Sequence, residues 1–537
     1  MTNVEIISTQ RPNKILLWVL ALLVLAGVFR SLVPSEEPLP ERPDILLITV
    51  DTLRADRLGY AGHGPAETPH IDRLAREGTV FRQATTPFPR TTPALASLLS
   101  GLWPQNHGSR EVGQKMAKDS PFLTLLLDDL GYHTVGLTAN GAAGAVQGFA
   151  RGFDAFATDK DLPNRRATAV TDHILERLAE VPEDEPLFLW VHYVDPHYPY
   201  SPPKPWRDTA DPEPCRALMQ EANDRSKVGW VFSNRDGRSS VARDSCLDLY
   251  DAEIAYTDHE IGRLIETLEG MGRFEEALTV FTADHGENLG EEGLFFQHGP
   301  NLHDASLRIP LIFRGPGIEG QVDEGVARLE DVMPTLLTLL RLPKDRWPEM
   351  DGQDLSHRLR TRRLLDRKDD RLTLAESGSA LLLHSYRYLH SGRQHELHCL
   401  NAERFSLCGK PDEEPALYDH EADPDLTTDL SADFPEEKRQ LMAAREIWPA
   451  EQARERSVRG VRFKLVERPR LRGGYRSSLY DLENDPEAVH DVGAEFPEEK
   501  ERLQASLDRW TASLPSQKID KRTEDQLETL RALGYID

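Results

Sequence analysis

What most constrains this chain is a set of short apolar runs, each ending on polar residues. ILLITV runs into Asp51, LFLWVHYV into Asp195-Pro196-His197, and LTVFT into Ala283-Asp284-His285. PLIF ends in Arg314-Gly315-Pro316, and the run from Tyr132 to Leu137 follows an amphipathic stretch closed by Gly131. These runs are apolar at both alternating positions, so both faces must be covered, as in the strands of a mostly parallel sheet. Asp248 to Gly270 carries the apolar period of a helix and a terminal glycine. Strands alternating with helices predict an α/β domain over 44–345. Polar residues at the carboxyl ends of such strands fall where open α/β sheets bind ligands.

After about residue 372 the texture changes. Two segments resemble each other, ALYDHEADPDLTTDLSADFPEEKRQLM from Ala416 and SLYDLENDPEAVHDVGAEFPEEKERLQ from Ser478. Each has an extended start, an Asp-Pro turn and a closing helical stretch, which predicts a smaller C-terminal α+β subdomain over 372–537. A chain of 537 residues is long enough for one large and one smaller core.

Charge narrows the partners. With 90 acidic against 64 basic residues the net charge is −26, which argues against a nucleic-acid partner. The four cysteines, Cys215, Cys246, Cys399 and Cys408, form no CxxC pair and so no thiolate zinc motif. Their even number permits two disulfides, with Cys399 and Cys408 close in sequence, and free thiols remain an alternative.

Residues 1–14 are polar and include Arg11 and Lys14, and 15–33 begin with the apolar run ILLWVLALLVLAGVF. This reads as an uncleaved transmembrane signal anchor, with the h-region of a cleaved signal peptide as the alternative. Positive residues before it place 1–14 in the cytoplasm. The Pro- and Glu-rich stretch 34–43 reads as a linker. The expectation is a single-pass protein of a bacterial-type cell membrane, partnered with that membrane through its N-terminal helix, its catalytic domain periplasmic or extracellular.

The candidate chemistry lies at the strand ends: Asp51, His197, the Asp284-His285 pair, and His298 in the following loop. An Asp-His pair at a core strand's end offers an oxygen and a nitrogen ligand to a divalent cation. Thr91-Thr92-Pro93 opens an apolar helical stretch closing at Gly101, so its hydroxyls sit where a helix dipole favours an anion. On spacing alone Thr91 also reads as a helix N-cap.

These stretches, together with TPHIDRLAREGTVF, TTPALASLLSGLWPQNHG, TADHGE and QHGPNLHDASLRIPLIFRGPG, resemble the sulfatase family of the alkaline phosphatase superfamily. The resemblance implies an alkaline-phosphatase-like α/β fold: a mixed, mostly parallel sheet flanked by helices. It implies a metal-dependent hydrolase of sulfate or phosphate esters. Departures at two places, the signature and the metal site, matter. Threonine stands at the first position of the C/S-x-P-x-R signature, where a cysteine or serine becomes formylglycine, and Leu95 replaces its arginine. No formylglycine is expected. Thr91 is similar instead to the nucleophilic threonine of lipoteichoic acid synthases and phosphoethanolamine transferases. The usual paired aspartates are Asp51-Thr52 here, and Asp-Asn is Asp284-His285.

The implied metal ligands are Asp51, Thr91, Asp284 and His285, around one divalent ion. The softer, less negative set moves the choice from calcium toward zinc or manganese. Thr91 would be the metal-activated nucleophile, with His197 or His298 protonating the leaving group. His197, His298 and His107 would contact a small-molecule, glycan or lipid ester. A phosphodiesterase or head-group transferase acting on envelope lipids or glycans is the alternative, and an inactive binding protein a third reading.

Overall fold

The computed structural model describes residues 42–513 except 210, 226–239, 292–294, 300, 361–370, 378–382, 391–392, 402–404, 410–414, 420–427, 440–441, 443–453 and 470–473. Its centre is an eight-stranded sheet. Strands are β1 (Ile45–Val50), β2 (Thr79–Thr85), β3 (His133–Thr138), β4 (Ala155–Thr158), β5 (Leu187–Tyr193) and β6 (Leu278–Ala283). A two-stranded ribbon, β7 (Asn288–Leu289) and β8 (Phe295–Gln297), precedes β9 (Leu311–Arg314) and β10 (Gln321–Arg328). The order is β10-β2-β9-β6-β1-β5-β3-β4, and every pairing is parallel except those of β9 with β2 and β6.

β1 lies inside the sheet between β6 and β5, and all six of its residues are buried. Its register sets Val50 beside Tyr193 of β5 and Ala283 of β6, so the residues that follow these strands emerge at one edge. Helix Thr91–Ser100 is wholly buried, with Leu95, Leu98 and Leu99 in the main core. The predicted helix from Asp248 is longer, spanning Ser240–Gly270. A disulfide ties its first turns, at Cys246, to Cys215. Cys399 and Cys408 are register partners in an antiparallel strand pair.

A smaller C-terminal sheet comprises Thr373–Glu376, Arg456–Arg459, Phe463–Pro469 and Tyr475–Asp481. Leu503, Leu507 and Trp510 of helix Pro497–Ser513 pack on its Val458, Leu465 and Leu479. The two similar segments form edge strands with matching local bonds, Tyr475–Asp481 in this sheet and Ala416–Asp419 in a second four-stranded sheet with Leu383–His390, Arg393–Asn401 and Phe405–Gly409. Leu479 N–H donates to Asp491 and its carbonyl accepts from Val492. Leu417 N–H donates to Asp429 and its carbonyl accepts from Leu430. The C-terminal region is thus an internal repetition of one strand–turn unit.

The expected membrane anchor requires correction. No helix among the described residues is long and apolar enough to cross a membrane. The span 15–33 lies outside the described residues, as do the 1–14 segment and the 34–43 linker up to 41. The single-pass anchor and the membrane partner it implied are withdrawn, because no helix among the described residues can carry them.

Candidate active site

The parallel register of β1, β5 and β6 brings together Asp51, His192 and Asp284, three fully buried groups whose ligand atoms all lie within 4.8 Å of one another. His285 follows directly. Its Nε2 is 3.4 Å from Asp284 Oδ2 and 3.8 Å from Asp51 Oδ1. Thr91 Oγ1 reaches the same nitrogen at 3.5 Å. The residue that caps the Thr91–Ser100 helix is Arg90, and no side-chain bond closes that end, so the Thr91 hydroxyl is turned to the cluster and not to its own helix. Its neighbour differs: Thr92 Oγ1 donates to Ala142 O and accepts from Gly113 N–H, at 2.7 and 2.8 Å.

Local geometry fixes these groups. Thr52 holds a left-handed conformation, φ 55°, which is costly for a β-branched residue and is sustained by its surroundings. Its N–H donates to Asp284 Oδ1, and Tyr250 Oη–H donates to its carbonyl. Gly286 is needed after the Asp-His pair because a Cβ there would lie 2.0 Å from Ala305 O. His285 Nδ1 faces Gly286 O at 2.9 Å. A proton on that nitrogen leaves the Nε2 lone pair pointing into the cluster.

The donor set fits a divalent cation. Asp51 Oδ1, Asp284 Oδ2 and His192 Nε2 are buried without hydrogen-bond partners. Burial, and then the negative charge of Asp51, push the Asp284 carboxyl well above the aspartate range. Burial works against ionised Asp51 too, but the facing histidines, His197 first, hold it low. Burial lowers His285 to about 4, which keeps it a neutral ligand. Two carboxylates this close need a positive charge between them.

A ladder of imidazoles leads outward. The His285 and His298 rings stack at 4.4 Å, and His197 meets His298 edge-on at 5.2 Å. His298 Nδ1 lies 3.2 Å from Glu287 Oε1, and Tyr200 Oη–H donates to the other Glu287 oxygen. Burial raises Glu287 to about 7 and pushes His298 well below its ordinary value. His107 is not brought to this cluster. It is fully buried, Nε2 meets Ser97 Oγ at 3.0 Å, Nδ1 accepts from Ser109 N–H, and burial lowers it to about 3. It holds the segment after the helix in place.

Four site residues escaped sequence reasoning. Asn140 Nδ2 donates to Asp51 Oδ2 at 2.6 Å, and His192 Nε2 lies 3.8 Å from the same oxygen. Glu287 backs His298, and Arg90 adjoins Thr91. The available signals were a histidine inside the otherwise apolar β5 and the glutamate after Asp-His-Gly.

A sulfatase family model matches residues 43–342, more than half of the chain. The chain belongs to the sulfatase family. It is 25% identical over 360 residues to a sulfatase of Formosa agariphila, covering 56% of this chain and 69% of that protein. An ulvan-active sulfatase of the same organism is 28% identical over 357 residues, covering 59% and 65%. Among solved structures, the fold is similar to a phosphonate monoester hydrolase from Silicibacter pomeroyi, with TM-score 0.61, 19% identity, and coverage of 90% and 98%. It is also similar to a 2-O GAG sulfatase, with TM-score 0.60, 17% identity, and coverage of 90% and 96%. This sulfatase-family chain is a hydrolase of sulfuric or phosphoric esters, on the mixed, mostly parallel sheet with a smaller C-terminal sheet that the family resemblance implied.

Proposed function

We propose that this sulfatase-family chain hydrolyses phosphate-type esters through Thr91 as a covalent nucleophile. The observation that carries this reading is the buried Thr91 hydroxyl turned to His285 Nε2 beside Asp51 and Asp284. A divalent cation held by Asp51, Asp284, His285 and the Thr91 oxygen, with zinc or manganese suiting the mixed donors, would lower the hydroxyl pKa and neutralise ester oxygens.

Thr91 Oγ attacks phosphorus, the bond to the leaving alcohol breaks, and a phosphothreonine forms. Its proton is lost to solvent and the leaving alkoxide takes one from the site. His298 is placed to give it. With Glu287 protonated, Oε1–H donates to His298 Nδ1 and the imidazole carries its own proton on Nε2. Water then attacks phosphorus, giving one proton back to the Glu287–His298 pair as the P–Oγ bond breaks, and the freed Thr91 alkoxide takes up a proton in place of the one lost. Threonine cannot form the aldehyde hydrate that sheds sulfate by elimination, so its ester must be resolved by attack at the central atom. That favours phosphorus over sulfur.

The test is to assay the purified, metal-loaded protein on aryl sulfate, phosphate monoester and phosphodiester, with acid quenching and peptide mass spectrometry. A phosphoryl group on Thr91 and turnover of a phosphate ester are expected. Turnover of aryl sulfate that survives Thr91→Ala would overturn the reading.

A further inference from the structure

A phosphate-type ester brings negative charge, and Leu95, which stands where the family signature has arginine, is fully buried in the hydrophobic core and offers none of the opposite sign. The anion needs another cation. Arg90 immediately precedes Thr91 and donates its N–H to Phe88 O, while its carbonyl accepts the first helical bond from Ala94. Its side chain is half-buried, its Nε is buried without a hydrogen-bond partner, and among the described residues no carboxylate pairs with it. A guanidinium partly withdrawn from water without a counterion is unfavourable unless an anion arrives.

Its position is set by Gly299. That residue is left-handed, φ +101°, and a Cβ there would lie 2.3 Å from Arg90 Nε, 2.9 Å from Cγ and 3.0 Å from Cζ. The guanidinium stem therefore lies against bare backbone next to His298. Gly299 follows His298, whose ring stacks on His285 at 4.4 Å, so Arg90 lies against the loop that borders the Thr91 site.

We infer that Arg90 is the anion-binding residue of this site, taking two non-bridging oxygens of a phosphoryl group through Nε and one terminal nitrogen. An Nε–Nη edge presents two parallel donors, the geometry that suits phosphate and that lysine lacks. The inference rests on the phosphoryl reading above but is separable from it.

Inorganic phosphate is the probe, with titration calorimetry on the metal-loaded full chain. Arg90→Gln is expected to keep its bound metal and its melting temperature while weakening phosphate binding roughly tenfold or more, in line with loss of a charge-assisted pair. Arg90→Lys should lie between. A second measurement needs no variant: phosphate should protect Arg90 of the unaltered protein from a dicarbonyl reagent, read by peptide mass spectrometry. Unchanged phosphate affinity in Arg90→Gln, or no protection of Arg90, overturns the inference. If phosphate binding depends on Arg90 while Thr91 never becomes labelled, only the nucleophile reading falls.

Discussion

The Thr91 hydroxyl lies 3.5 Å from His285 Nε2 although 194 positions separate the two residues. Thr91 arrives on the first turn of a wholly buried helix, and His285 on the turn after β6. Because Arg90 is the helix cap, the Thr91 side chain is spared for the site, and its removal separates chemistry from stability.

Thr91→Ala is accordingly expected to lose at least ~10³-fold in turnover with little change in melting temperature, as for loss of a nucleophile with binding intact. Thr91→Ser should retain part of the activity. The adjacent Thr92→Ala should behave oppositely, because its hydroxyl joins Ala142 O to Gly113 N–H. A stability loss of about 1–3 kcal/mol, with turnover per folded molecule largely kept, is expected there. A destabilised but active Thr91→Ala enzyme would refute the assignment. Denaturation and turnover measured on the same samples decide it.

Metal content offers a readout independent of turnover. Asp284→Ala and His285→Ala should each fold yet bind less than one divalent ion per chain. His192→Ala should weaken retention too, since its Nε2 is one of the unpartnered buried atoms at the cluster. Elemental analysis after dialysis measures this, and full occupancy in Asp284→Ala and His285→Ala counts against the ligand set.

Asp258 gives a pH dependence away from the site. Burial raises its carboxyl from 3.8 to about 7, even though it accepts from the N–H groups of His70 and Ile71 at the start of a helix. A folded value above the unfolded one means that the protonated form stabilises. That contribution is full below about pH 4 and is lost as pH climbs through about 7. Relative to the unaltered protein, Asp258→Asn should therefore gain melting temperature between about pH 5 and pH 8. A constant difference across that range would show the carboxylate to be ionised throughout.

The Cys215–Cys246 bond closes a loop with a sequence separation of 31. Chain-entropy reasoning gives a contribution of about 4 kcal/mol for a loop of that size. Cys246→Ser should lower stability by up to that amount, as followed by chemical denaturation.

Much of this protein can be read from local pattern alone. Runs such as ILLITV and LTVFT specify strands covered on both faces, and Asp51 and Asp284-His285 follow them directly, so their place at strand ends needs no tertiary information. The Gly after Asp-His and the buried helix beginning at Thr91 are equally local. Partnership across the sheet is different. His192 lies inside an apolar run, and only the pairing of β5 with β1 sets it near Asp51; Asn140 gains its role because β3 pairs with β5. His107 sits in a stretch that resembles substrate-binding sequence, yet Ser97 and Ser109 engage both its nitrogens away from the cluster. Arg90 becomes a site residue only where Gly299 yields it space. The apolar composition of 15–33 suggested an anchor, but among the described residues no helix supports one. Backbone periodicity is a property of neighbours along the chain and survives in the sequence. Strand order, register and the fate of each polar side chain depend on contacts between residues hundreds of positions apart, which only the folded core decides.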